Sequence, residues 1–216
     1  KNAESTLSFV EMSKLRYAQL SFDLQRYVDA YNGYLSLFET TNIESNRAAA
    51  REGMMLSAYR SKDYEKAVMA ATSVISDADT DKDVKVEAKY IKAKSLLATS
   101  KRNDAMKLFA ELGATPSTPR GAESKYLLIQ NLFDTANFDS VESEVYDFSQ
   151  KAGNQSYWLA KAYLVLGDSF VERGSYEQAK ATYESIGEGY QAPSAGDDIA
   201  DNVKKRLDRL AGLMEK

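Results

Sequence analysis

The sequence contains no cysteine and no histidine. Those absences exclude disulfides, thiolate metal sites, imidazole ligands and the commonest general base, so any catalysis would fall to carboxylates, hydroxyls or lysines. Proline is scarce: only Pro116, Pro119 and Pro193 occur, which leaves long stretches free to be helical. No apolar run approaches the ~20 residues needed to cross a bilayer, and no charged, apolar, small-residue signal pattern opens the chain. The first residue is Lys1, not methionine, which leaves room for a leader, an anchor or further domains ahead of it. A net charge of -4 and a pI near 5.1 give little attraction to polyphosphate, so a nucleic-acid partner is not expected. What is present is 216 residues with 44% hydrophobic and 28% charged content, enough for one ordinary domain or a short array of repeats.

A repeat is visible in the spacing of aromatic and small residues. Tyr27 with Ala30, Tyr64 with Ala67, Phe138 with Val141 and Tyr176 with Ala179 share one pattern, and Ala105 takes the same place without an aromatic partner. The small residues recur at intervals of 37, 38, 36 and 38 residues. Each is preceded by one apolar helical stretch and followed by another, which describes a helical hairpin. In the last unit, Tyr163, Leu166, Gly167 and Phe170 share one face of the first helix, while Tyr176, Ala179, Tyr183 and Ile186 share one face of the second. Gly174 marks the turn between them, and Gly167 is a glycine inside a helix, as expected where another helix comes close. Ser175 and Gln178 form a capping-box pattern.

The run Tyr163, Leu166, Gly167, Phe170, Gly174, Tyr176, Ala179, Tyr183, Ile186 closely resembles the tetratricopeptide repeat (TPR). The likeness covers roughly residues 7 to 190. It departs from the family where Met55 or Leu56 replaces the helix glycine, where the turns before Tyr64 and Phe138 read one residue short, and in a period longer than the usual ~34 residues. The resemblance implies an all-α fold: a right-handed superhelical array of about five TPR-like hairpins plus a C-terminal capping helix, in one repeat domain over 1–216. The expected units are 7–40, 46–76, 84–113, 121–151 and 157–189, with the capping helix at 197–215. Residues 76–83, 112–121 and 151–156 read as connectors. The capping helix starts at Asp197 or Asp198 and places Ile199, Val203, Leu207, Leu210 and Met214 on one stripe.

Other candidate chemistry is sparse. Asp77, Asp79, Asp81 and Asp83 alternate like the start of a calcium loop, but Lys82 stands at the turn glycine and Ala88 at the bidentate glutamate, so the segment reads as an acidic connector. Glu142 with Glu144 and Asp197 with Asp198 read as exposed charges or helix caps, and Lys204-Lys205-Arg206 as a solvated helix face. Phosphate loops, nucleophile elbows and Ser-x-x-Lys pairs are missing. Several of the fourteen tyrosines lie on first helices, at Tyr59, Tyr90, Tyr126 and Tyr163, most of them expected to be packing residues.

The function implied by the resemblance is a non-catalytic scaffold that binds a peptide or protein segment in a concave groove and needs no cofactor or metal. Its groove residues in the best repeat would be Lys161, Leu164, Asp168, Val171 and Glu172, with Glu87, Tyr90, Lys94, Glu123, Tyr126 and Gln130 as counterparts elsewhere. The lysine and asparagine pattern that clamps a C-terminal carboxylate in some family members is not evident. The C-terminal unit is also similar to the ends of large bacterial cell-envelope TPR proteins. That second likeness implies a module of an envelope assembly or division complex, in the periplasm or envelope.

Overall fold

The computed structural model describes the backbone of residues 2–192 and 197–215, and the side chains of 9–192 and 197–215. Pro193 and Gly196 of the last connector lie outside the described residues. Among the described residues the chain forms eleven α-helices and no strand. Two compact units are formed by 1–108 and 109–216. The first contains α1 (Asn2–Asp23), α2 (Tyr27–Thr40), α3 (Glu44–Arg60), α4 (Tyr64–Ser76) and α5 (Lys82–Ala98), with the division falling inside α6 (Arg102–Gly113). The second contains α7 (Pro119–Asp134), α8 (Phe138–Lys151), α9 (Ser156–Glu172), α10 (Tyr176–Gly189) and α11 (Ile199–Met214).

Helices α2 and α3 are joined by three residues, 41–43, with no positive φ, whereas the pairs α1–α2, α3–α4, α5–α6, α7–α8 and α9–α10 are joined by three residues of another kind, at 24–26, 61–63, 99–101, 135–137 and 173–175. The middle residue is left-handed each time: Gln25 at φ 58°, Lys62 at 62°, Ser100 at 62°, Ala136 at 57° and Gly174 at 72°. Its N–H donates to the carbonyl three residues back and the next N–H to the carbonyl five back. Gly174 thus bonds Val171 at 3.0 Å and Ser175 bonds Phe170 at 2.8 Å, while Ala136 bonds Phe133 and Asn137 bonds Leu132, both at 2.9 Å. This Schellman closure satisfies helix-end carbonyls while turning the chain. The expectation that the turns before Tyr64 and Phe138 are one residue short is therefore corrected. They have the common length, but Lys62 and Ala136 hold the place that glycine marks in the last hairpin.

The left-handed residue also sets the register of the core. Five positions after it stand Ala30, Ala67, Ala105, Val141 and Ala179, each fully buried. Nine after it stand Tyr34, Ala71, Phe109, Val145 and Tyr183, and seven before it Ala18, Met55, Ala93, Ile129 and Gly167, all buried. In the last hairpin a Cβ on Gly167 would lie 2.2 Å from the Tyr183 ring. The second hairpin has Met55 and Ala71 at these positions, and the fourth Ile129 and Val145, so matching buried positions are filled differently. Tyr34 lies over a glycine of the next hairpin: a Cβ on Gly53 would come within 2.4 Å of its ring.

Local capping departs from expectation in two places. Ser175 occupies the N-cap of α10 without a side-chain cap bond, so the capping box is not formed. Its ψ of 62° is far from the extended geometry a short serine cap requires, whereas Asp63, at ψ 78° but with a longer side chain, still reaches Lys66 N–H at 3.2 Å. At the start of α11, Asp198 makes no side-chain cap bond, and Asp197 accepts instead from Ile199 N–H at 3.1 Å. Ile199, Val203 and Leu210 are buried and Leu207 packs beside them, but Met214 is exposed, so the stripe predicted along α11 stops short of it. In the acidic connector Asp77 pairs with Arg51 at 2.6 Å and Asp81 caps α5.

Two substitutions test these contacts. Gly167→Ala is expected to cost about 1–3 kcal/mol in urea unfolding, because overpacking against Tyr183 outweighs the helix-propensity gain of ~1 kcal/mol. Tyr183→Leu in the same chain should recover part of that loss in a double-mutant cycle. At the turns, Ala136→Gly should stabilise and Gly174→Ala destabilise, each by about 0.5–1 kcal/mol, since relief of the left-handed strain exceeds the added chain entropy of glycine.

Candidate partner-binding surface

Helix α9 is packed against α7, α8, α10 and α11. Of its predicted groove residues, Leu164 is 3% exposed and belongs to the core, a correction that follows from this enclosure. Asp168, Val171 and Glu172 instead face Lys205, Arg206 and Arg209 of α11 across a cleft of about 410 Å³. Leu210 and Leu213 of α11, with Phe133 and Tyr183, complete its apolar part.

Asp168 is held from two elements. Arg206 donates to it from Nε and Nη2, at 2.8 Å each, and Tyr183 donates its hydroxyl at 2.7 Å. Arg206 also donates to Asn202 Oδ1 at 3.1 Å. Burial works against the charge on Arg206, but Asp168 outweighs it and raises the guanidinium's pKa. Burial and then Asp168 push the Tyr183 hydroxyl well above its ordinary value. The cluster ties α9 to α10 and α11. The sequence run Lys204-Lys205-Arg206 is split by it: Arg206 turns inward while Lys204 and Lys205 stay exposed.

A second cluster gathers residues from two predicted repeats. The Lys161 ammonium lies 5.6 Å from the Tyr126 ring centre and 5.4 Å from that of Tyr157, and 3.4 Å from Asp198. Trp158 stacks near both rings, at 5.5 Å from Tyr126 and 5.0 Å from Tyr157, and Tyr157 donates its hydroxyl to Asp198 at 3.0 Å. Burial opposes the lysine charge, but Tyr126, Tyr157 and Asp198 together raise its pKa. Nearby, Gln130 donates to Asp134 at 2.9 Å and Glu123 is half-buried. The acidic pair on α8 is also engaged: Glu142 accepts from Arg173 at 3.2 Å, and Glu144 from the buried Lys125, which also reaches Asp147 at 2.9 Å.

In the first unit Glu87 and Lys94 are half-buried, and Tyr90 is 5% exposed beneath the Lys94 ammonium, a packing residue where a groove residue was expected. This unit has a surface the sequence reading missed. A groove of about 590 Å³ runs along Phe9, Val10, Tyr17 and Gly33; on α1 Phe9 is 70% and Met12 64% exposed, and Leu24 just after the helix is 66% exposed. Register could have found it. At twelve, nine and five positions before the left-handed residue, α3 has Ala50, Gly53 and Ser57, α5 has Ala88, Ile91 and Ser95, and α9 has Ala162, Val165 and Ser169, all buried. On α1 the same places hold Ser13, Arg16 and Leu20, all exposed.

Among the described residues no helix is long and apolar enough to cross a membrane, and no group of three or more acidic residues is placed to hold a metal ion. No protein-family model matches the chain, and no curated protein matches it either. Among solved structures, the chain is similar to one from Bacteroides ovatus ATCC 8483 described as a "putative protein binding protein". The two are 13% identical with a TM-score of 0.42, over 95% of this chain and 98% of that one.

Asp168→Asn should lower stability by about 1–3 kcal/mol, since it leaves Arg206 without its counter-charge in a partly enclosed site. Hydrogen exchange should show the loss in α11 and leave α7–α8 unchanged.

Proposed function

We propose that the protein is a non-catalytic scaffold of tetratricopeptide type that holds a segment of a protein partner against the α9–α11 surface. The observation that carries this reading is the open cleft, in which apolar side chains lie beside exposed charges while Asp168, Arg206 and Tyr183 are engaged with one another. Such a surface can gain affinity from burial of one or two partner side chains and orientation from the charges at its rim. The five left-handed turns and the core positions set from them support the repeat assignment. The scaffold role is further supported by the charge states. Where carboxylates and lysines among the described residues are shifted, the shifts keep the carboxylates ionised and the lysines protonated, whereas general acid–base work calls for the opposite.

The exposed apolar stripe on α1 favours a second reading, a module of a larger assembly such as the cell-envelope complex implied by the C-terminal resemblance. The scaffold reading is tested by selecting random displayed peptides on the wild-type chain and on Val171→Asp, with circular dichroism confirming that the variant is folded. Enriched peptides that lose binding to the variant are the expected result. Failure to enrich any peptide, or equal binding to both proteins, overturns the reading.

A further inference from the structure

Charges around the α9–α11 cleft do not cancel. Asp168 already accepts from Arg206 and Tyr183, and the Asp168–Arg206 pair contributes no net charge. What remains is Lys205 and Arg209 of α11 against the single carboxylate of Glu172. Lys205 and Arg209 are exposed and have no acidic partner among the described residues. They are four residues apart, so their side chains rise from one helix face, and Leu213 continues that face by another turn. Opposite lie Val171 and Phe133, both half-buried and apolar.

The volume of about 410 Å³ admits one or two side chains, and its chemistry is selective. An apolar side chain would bury against Val171 and Leu213, and a carboxylate next to it would meet two cations without displacing an existing pair. A basic segment would gain only Glu172 while facing Lys205 and Arg209 at close range. A phosphodiester backbone would satisfy the cations, but it would leave the apolar wall uncovered and approach Glu172.

Building on the scaffold reading, we propose that the α9–α11 cleft selects a peptide segment in which an apolar residue is flanked by acidic ones. The apolar side chain enters between Val171 and Leu213, and a carboxylate sits between Lys205 and Arg209.

Fluorescence anisotropy on the 216-residue chain tests this with labelled Gly/Ser nonapeptides whose central triplets are Glu-Leu-Glu, Lys-Leu-Lys and Glu-Ser-Glu, and with a thymidine oligonucleotide. The Glu-Leu-Glu peptide should bind at least about tenfold tighter than the other three probes and weaken as salt rises. Combining Lys205→Glu with Arg209→Glu, both at exposed positions, should move the preference to Lys-Leu-Lys, and Leu213→Ser should weaken Glu-Leu-Glu binding. Equal binding of acidic and basic peptides, a preference unmoved by the charge reversal, tighter binding of the oligonucleotide, or no peptide binding overturns the proposal. The scaffold reading would survive any of these if displayed peptides of another composition were still enriched on the wild type and lost on Val171→Asp.

Discussion

Five helix pairs among the described residues depend on one residue entering the left-handed region between the two helices. That single backbone choice lets two N–H groups close back on helix-end carbonyls and reverses the chain within three residues. It also fixes which side chains on the two helices lie at the same level. The buried small residues five positions later follow from it, as do the buried positions nine later and seven earlier. Four of the five left-handed residues are not glycine, so the strain at each, roughly 1–2 kcal/mol for an L-residue, is offset by the packing it arranges.

This accounts for what the sequence could and could not reveal. The helical class and the period were legible because the residue five after the turn must stay small in every hairpin, and Ala30, Ala67, Ala105, Val141 and Ala179 record that need directly. The turns were legible only at Gly174, since Lys62 and Ala136 adopt the same conformation without any compositional mark. The helix glycine was legible only at Gly167 for a related reason. The paired positions are buried in every one of these hairpins but filled differently, as glycine with tyrosine in one hairpin and methionine with alanine in another. Residue type therefore marks one good repeat and several poor ones, whereas burial at matching positions recurs in all five.

At the candidate site, enclosure decides which residues of the α9 stripe stay accessible. Asp168, Val171 and Glu172 reach the cleft, but Leu164 is sealed into the core because four helices surround α9. The larger omission is α11. Its charged run reads from sequence as a solvated face, and no local pattern distinguishes Arg206, which bonds Asp168, from its neighbours Lys204 and Lys205. That distinction depends on a partner 38 residues away. Tyr126 and Lys161 show the same limit in a favourable direction: each was chosen within its own repeat, and packing in the second unit places one over the other.

The first and last helices differ in a way that bears on how such a chain is used. On α11 the outward residues include Lys204, Lys205, Asp208 and Arg209, charges that water solvates readily, while the inward stripe of Ile199, Val203 and Leu210 is buried. On α1 the outward positions corresponding to the buried faces of α3, α5 and α9 include Leu20, with Phe9 and Met12 also exposed on the helix and Leu24 just beyond it. Water solvates a charged outer face readily, a condition that α11 meets and α1 does not. A side chain such as Phe9 left 70% exposed forgoes most of the roughly 1.5–3 kcal/mol that burying it would contribute. Under the proposed scaffold role, charge-directed contact with a short segment falls to α11 and broad contact with another folded surface to α1.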